Sequence, residues 1–269
     1  MKLLKNTLIL LSIIVATCYG TITKVDTMQE VMCHFENADS DTLAIFDIDK
    51  VLLQPSDPAF QTLNIKYHRE SVNKVIRSLP EDKIPIFVVL ASIHSDSILV
   101  DEKTPDYLQQ LNERGIPSIA LTANFTGSIG PVDNLESWKI NRLNLLGYDF
   151  TAMAPSSEQI VFDDLPSYRG NYSLYTDGAL FTNHPDCTKG ELLVRFLQLT
   201  KVSPKRVIFI DDHLNNLESV EEALACHDPS IQYDGLLYLG ADDYPSTLLT
   251  EEAFETRWEA IASMARETE

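Results

Sequence analysis

Residues 43–55 read LAIFDIDKVLLQP: an apolar run, two aspartates two positions apart, then a second apolar run. The segment from Leu43 to Phe46 has the composition of a strand buried on both faces, where a carboxylate would be costly. The aspartates make sense at the strand's exit. In open α/β sheets side chains leave the sheet at the carboxyl ends of the strands, and ligands collect there. Being two apart, Asp47 and Asp49 tend to project the same way while Ile48 points elsewhere. A lone aspartate at such a place usually caps a turn, so the rest of the chain decides how this pair is read.

Two further apolar runs end in polar residues, IPSIALTAN at Ile116 to Asn124 and RVIFIDD at Arg206 to Asp212. Helical patterns lie between and after them, at Pro105 to Arg114, Leu135 to Gly147, Lys189 to Thr200 and Leu214 to Ala225, with EEAFETRWEAIASMA near the C-terminus as one more. Alternation of this kind predicts an α/β fold, a three-layer Rossmann-like parallel sheet with helices on both faces. It would gather the carboxylates of Asp47, Asp49, Asp211 and Asp212 in one cleft, where mutual repulsion calls for a cation. Magnesium suits such a set, because it takes oxygen ligands and is usually held by one or two carboxylates together with a substrate phosphate. Thr122 offers a hydroxyl at the intervening strand end, and Lys189 a positive charge at a helix start. A carboxylate nucleophile, an acid/base, a metal and donors for phosphoryl oxygens are the components of phosphoryl transfer through an aspartyl-phosphate.

The stretches DIDKVL, ALTAN, TKGELL and VIFIDDHLNNL, in that order, resemble the four motifs of the haloacid dehalogenase superfamily. The whole chain is also similar to an exported bacterial family of unknown function (DUF2608-like), through DEKTPDYLQQLNERGIPSIALTAN and YTDGALFTNHPDCTKGELL. The resemblance implies a role for each matching position. Asp47 would be the nucleophile and Asp49 the acid/base. Thr122, with Ala123 beside it, and Lys189 would bind the phosphoryl group. Asp211, supported by Asp212, would complete a magnesium site with the Asp47 carboxylate and the Asp49 backbone carbonyl. Lys50 departs from the pattern by standing where the superfamily often has glycine, and Asn215 or Asn216 stands where a second acidic residue is usual. Ser92, after IFVVLA, is a rival for the Thr122 role.

The implied activity is magnesium-dependent hydrolysis of a small-molecule phosphomonoester. A phosphotransferase or mutase would use the same residues, a dehalogenase would have no need of Asp49, and a non-catalytic exported binding protein is the alternative of a different class. Long stretches flank the second motif. The first, about residues 54–100 and containing PAFQTLNIKYHRESVNKVIRSL, reads as a mainly helical cap inserted over the cleft; the second, near QIVFDD and NYSLYTDGALF, contains a helix and short strands and is the other cap candidate.

Composition narrows the partners. Acidic residues outnumber basic ones 40 to 21, for a formal charge of −19, which argues against nucleic acid or anionic lipid as a broad electrostatic partner. Residues 1–20, MKLLKNTLILLSIIVATCYG, place Lys2 and Lys5 before an apolar run from Leu8 to Ala16 and then small residues, the pattern of a cleavable signal peptide. The apolar core is short for a membrane span. Export to the periplasm or medium is expected, leaving residues 21–269 as one domain with no integral membrane segment. Acylation at Cys18 is the lipoprotein alternative, although Thr17 is bulky for that signal, and an uncleaved anchor helix is a third reading. Cleavage would leave Cys33, Cys187 and Cys226, an odd number expected as buried free thiols. Neither cysteines nor histidines have the spacing of a transition-metal site.

Overall fold

The computed structural model describes residues 20–183 and 186–268. The leader expected over 1–20, Cys18 included, falls outside the described residues apart from Gly20. In chain order the strands are β1 (Thr21–Val25), β2 (Thr42–Phe46), β3 (Leu53–Pro55), β4 (Ser97–Leu99), β5 (Ser118–Thr122), β6 (Ile160–Phe162), β7 (Ser173–Thr176), β8 (Ala179–Phe181), β9 (Arg206–Asp211) and β10 (Gln232–Tyr238). The helices are α1 (Met28–Cys33), α2 (Thr62–Tyr67), α3 (Arg69–Ser78), α4 (Ile84–Ile93), α5 (Thr104–Glu113), α6 (Leu135–Leu145), α7 (Phe150–Met153), α8 (Lys189–Thr200), α9 (Leu214–His227) and α10 (Glu251–Glu267).

Eight strands form one sheet in the order β1-β10-β9-β2-β5-β8-β7-β6. Neighbours from β1 through β8 run parallel, and β7 and β6 extend that edge antiparallel. Strand periodicity splits the apolar side chains between two faces. Leu43 and Ile45 pack with Ile119, Leu121, Val207 and Phe209 beneath α8 and α9, through Leu192, Phe196, Leu217 and Val220. Ala44 and Phe46 pack with Ala120, Ile208 and Ile210 against α1, α5 and α6, through Val31, Leu108 and Leu143. The result is the expected three-layer α/β architecture. Its edge hairpin closes at Asp177-Gly178, where φ is 49° and 77°, the doubly left-handed turn that two-residue hairpins favour.

The insertion expected over residues 54–100 is closed at its neck by β3 and β4, which pair antiparallel from Leu53↔Leu99 to Pro55↔Ser97. Helices α2 to α4 fill the span between them. They share a separate apolar cluster with the C-terminal helix, in which Phe60, Phe87 and Leu90 meet Phe254, Trp258 and Ile261. Trp258 Nε1 donates to the Ala59 carbonyl at 2.9 Å, and Arg257 pairs with Asp57 at 2.6 Å. The helical unit is thus built from two distant chain segments, a partnership that periodicity alone does not reveal. It also explains why IPIFVVLASI is apolar nearly all round. One side of α4 packs on α10, while Ile84, Pro85 and Val88 on the other side line cavities at the carboxyl end of the sheet.

The cysteine expectation is corrected. All three described cysteines are free, but only Cys187 is buried; Cys33 and Cys226 are exposed. Both exposed thiols belong to helices, α1 and α9, whose buried residues are others, so an odd count says nothing of burial.

Helix α8 is placed by two local devices. Thr188 caps it, accepting from the Glu191 amide at 3.1 Å while the Glu191 carboxylate accepts from the Thr188 amide at 2.9 Å, a capping box. Gly190 then lets α8 lie directly on α9, since a Cβ there would sit 2.1 Å from the Ser219 carbonyl oxygen. Gly190→Ala should therefore force the two helices apart and cost about 1–3 kcal/mol, the usual toll of overpacking, despite alanine's better helix propensity. Thermal denaturation of the variant measures this; an unchanged or raised Tm refutes the close contact.

Candidate active site

Strands β9, β2 and β5 are neighbours and parallel, so their carboxyl ends open on one side of the sheet. Asp211 is the last residue of β9 and Thr122 the last of β5, while Asp47 follows β2 directly and still donates its amide to the Ile210 carbonyl at 2.9 Å. Lys189, at the start of α8, reaches in from the helix layer. Its Nζ lies 2.6 Å from Asp47 Oδ1 and 2.7 Å from Asp211 Oδ2. All three are buried, Asp211 to 0% and Lys189 to 2% exposure. Asp211 is held further by the His213 amide at 2.8 Å and by Asn216 Nδ2 at 3.0 and 3.1 Å.

Electrostatics separates the paired aspartates. Burial raises the proton affinity of Asp47, Lys189 opposes it, and Asp211 and Asp212 add repulsion; the net result lies well above the ordinary carboxylate value. Burial also raises the proton affinity of Asp49, but Lys139, Asn124 and Lys189 together outweigh it and hold the group below its ordinary value. Lys139 Nζ is 2.9 and 3.2 Å from the two Asp49 oxygens, and Asn124 Nδ2 donates to Oδ2 at 2.6 Å. Asn124 Nδ2 also meets Thr122 Oγ1, joining the β5 strand end to Asp49. For Lys189, the two aspartates overcome burial and raise its affinity for its proton, so it stays a cation.

Asp212 stands to the side, with Lys50 Nζ at 3.3 Å and His213 Nε2 at 3.5 Å. One oxygen each of Asp47, Asp211 and Asp212 all lie within 4.8 Å of one another. Three hard oxygen donors this close form a set that could hold a divalent cation.

The expected site residues therefore converge. Asp47, Asp49, Thr122, Ala123, Lys189 and Asp212 line one cavity of about 330 Å³, and the fully buried Asp211 pairs with Lys189. Asn216, on the first turns of α9, is the asparagine of the pair that reaches Asp211. Ser92 is a different matter. It lies on α4, where its hydroxyl donates to the Val88 carbonyl at 2.9 Å, so it does not end a strand and does not replace Thr122. Two participants went unread in the sequence. Lys139 looks like an ordinary surface lysine of an amphipathic helix yet is only 4% exposed, and Asn124 sits within ALTAN itself.

The departure at Lys50 has a conformational meaning. Its φ is +65°, the left-handed region where glycine is at ease and other residues carry strain of roughly 1–2 kcal/mol. Its amide donates to the Leu53 carbonyl at 2.7 Å, tying the turn back on itself. Lys50→Gly should be neutral or stabilise the fold by up to about 1 kcal/mol, even though it removes the ammonium from Asp212. Chemical denaturation checks this, and a loss of more than about 1 kcal/mol would show that the ion pair outweighs the strain.

The chain matches the family described as "Protein of unknown function (DUF2608)" over residues 24–267. It is 24% identical over 206 residues to an uncharacterized protein of Rickettsia bellii, covering 75% of this chain and 70% of that one. It is 22% identical over 244 residues to the uncharacterized protein RC0398 of Rickettsia conorii, covering 87% and 82%. A shorter match, 27% over 141 residues, joins it to the uncharacterized protein RP295 of Rickettsia prowazekii, covering 52% and 47%. No solved structure matches. With nearly all of its described residues inside the family match, the chain belongs to DUF2608.

Proposed function

We propose that this protein is an exported, magnesium-dependent phosphatase of the haloacid dehalogenase type, hydrolysing a phosphomonoester through an aspartyl-phosphate at Asp47, with residues 54–100 as its cap. The observation that carries the reading is the Lys189 ammonium held 2.6 and 2.7 Å from Asp47 and Asp211, beside a hydroxyl-bearing strand end at Thr122. The leader-like residues 1–20 support export.

Asp47 attacks phosphorus through a carboxylate oxygen, and the ester P–O bond breaks. Asp49 gives its proton to the departing oxygen. Water then attacks phosphorus, Asp49 takes up the water's proton, and cleavage of the P–O bond to Asp47 releases phosphate. Lys189 and Thr122 hold the equatorial oxygens throughout. Magnesium fits the donors, since Asp47, Asp211 and Asp212 present only carboxylate oxygens; when bound it would offset the charge of the carboxylates and of the phosphoryl group. Asp49 is ionised in the resting site because of Lys139. The approach of a phosphate dianion raises its proton affinity as any like charge does, which suits a group that must first give a proton and later accept one.

Asp47→Asn should abolish both turnover and the acid-labile phosphoenzyme, and chelation of magnesium should abolish turnover. Asp49→Asn should slow alkyl esters by about 10²–10⁴-fold and aryl esters, with their better leaving groups, by less. Retained activity in Asp47→Asn would end the proposal. An unphosphorylated protein that binds phosphate esters without turnover would favour the binding-protein alternative.

Lys139 sets the pH range. Asp49 must carry a proton to cleave the ester, so kcat/KM falls as pH rises through its pKa. Lys139→Met removes a cation that helps to hold that pKa down, and the falling limb should move to higher pH. A pH profile with an unmoved limb would sever Asp49 from the acid role.

A further inference from the structure

A second cavity adjoins the carboxylate cleft. It is about 490 Å³, within the range of small-molecule sites, and it shares Ala123, Phe125, Lys189 and Asn216 with the cleft. Phosphate chemistry at Asp47 does not need this space. Its walls have a distinct character. Ile84 and Pro85 of α4 line it, as do Phe125 and Tyr168, whose rings stack at 5.4 Å and 22°.

Among the described residues on its lining, two are charged. Lys189 is already engaged by Asp47 and Asp211, and Glu81 is a carboxylate at the start of the turn leading into α4. A second anionic group on the ligand would therefore meet Glu81 and, among the described lining residues, would find no cation other than Lys189. An apolar or aromatic group would find Ile84, Pro85 and the rings of Phe125 and Tyr168, while Thr182, Thr188, Asn215, Asn216 and Ser219 add neutral polar groups to the lining.

We infer that this cavity receives the leaving group of the substrate, and that the substrate is a monophosphate ester of a neutral alcohol carrying a flat or aromatic group. This assignment rests on the reading of Asp47 and Lys189 as a phosphoryl site. It disfavours bisphosphates, nucleoside diphosphates and acidic phosphopeptides, whose second anionic group would meet Glu81. Phe125 is the specificity-determining residue, because it lines both cavities and follows directly on the turn of Thr122 to Asn124.

The test uses non-hydrolysable probes, so that binding is read apart from chemistry. Benzylphosphonate and methylphosphonate are titrated calorimetrically into the full mature chain with magnesium present. Benzylphosphonate should bind at least about tenfold more tightly, the discrimination that apolar pockets achieve. In Phe125→Ala the ratio of the two affinities should fall toward one, and Ile84→Ser, on α4, should lower it as well; circular dichroism confirms that both variants are folded. Equal affinities in the wild type, absence of binding by either probe, or a ratio unchanged in both variants overturns the inference. Turnover of phosphate esters is measured alongside. Hydrolysis without preference for the aromatic probe removes the pocket and leaves the phosphatase; preference without hydrolysis leaves the pocket and removes the phosphatase.

Discussion

A lysine ammonium buried between two aspartates is the constraint around which the molecule is arranged. Taking Lys189, Asp47 and Asp211 out of water is costly, and their attraction offsets that cost only while all three keep their geometry and their remaining hydrogen bonds. Each depends on a different part of the fold. Asp47 needs β2 at the centre of the sheet, Asp211 needs β9 beside it, and Lys189 needs α8 pressed onto α9 at Gly190. His213 and Asn216 complete the shell of Asp211 from the first turns after β9. Losing one partner would strand a charge in the interior, a loss of about 3–5 kcal/mol in comparable buried pairs.

Surrounding this centre, the two aspartates of one strand exit acquire opposite character. Asp47 faces burial and two like charges, and its affinity for a proton is raised. Asp49 faces Lys139 and Asn124 from the other side, keeps 45% of its side chain exposed, and its affinity is lowered. Environments that push two neighbouring carboxyls apart are how one fold assigns them different work. Under the proposed chemistry the division is between the nucleophile and the group that moves protons.

The helical unit over the sheet end has its own logic. Helix α4 is apolar on both sides because α10 covers one and the cavities lie under the other, so a single element joins the anchoring of the unit to the lining of the site. Trp258 is central to that anchoring, in ring contact with Phe60, Phe87 and Phe254. The closing helix of the chain thereby helps to position Ile84, Pro85 and Val88, residues more than a hundred and fifty positions earlier.

Much of the site was legible in LAIFDIDKVLLQP and its companions, because a buried parallel strand announces itself as an apolar run and ends where polar residues begin. The strand-end positions of Asp47, Thr122 and Asp211 were readable for that reason, and the helical character of the span between β3 and β4 from its own periodicity. What the sequence could not state were the interactions made between elements distant along the chain. Lys139 is a helix lysine in any window of sequence and becomes the partner of Asp49 only when α6 packs on the sheet. Lys50 is a departure from pattern until the backbone reveals a left-handed turn. The union of α10 with α2 to α4 and the cavity that Ile84 and Phe125 line likewise exist only in three dimensions. Local periodicity records which face of an element is buried, and the tertiary structure alone decides against what.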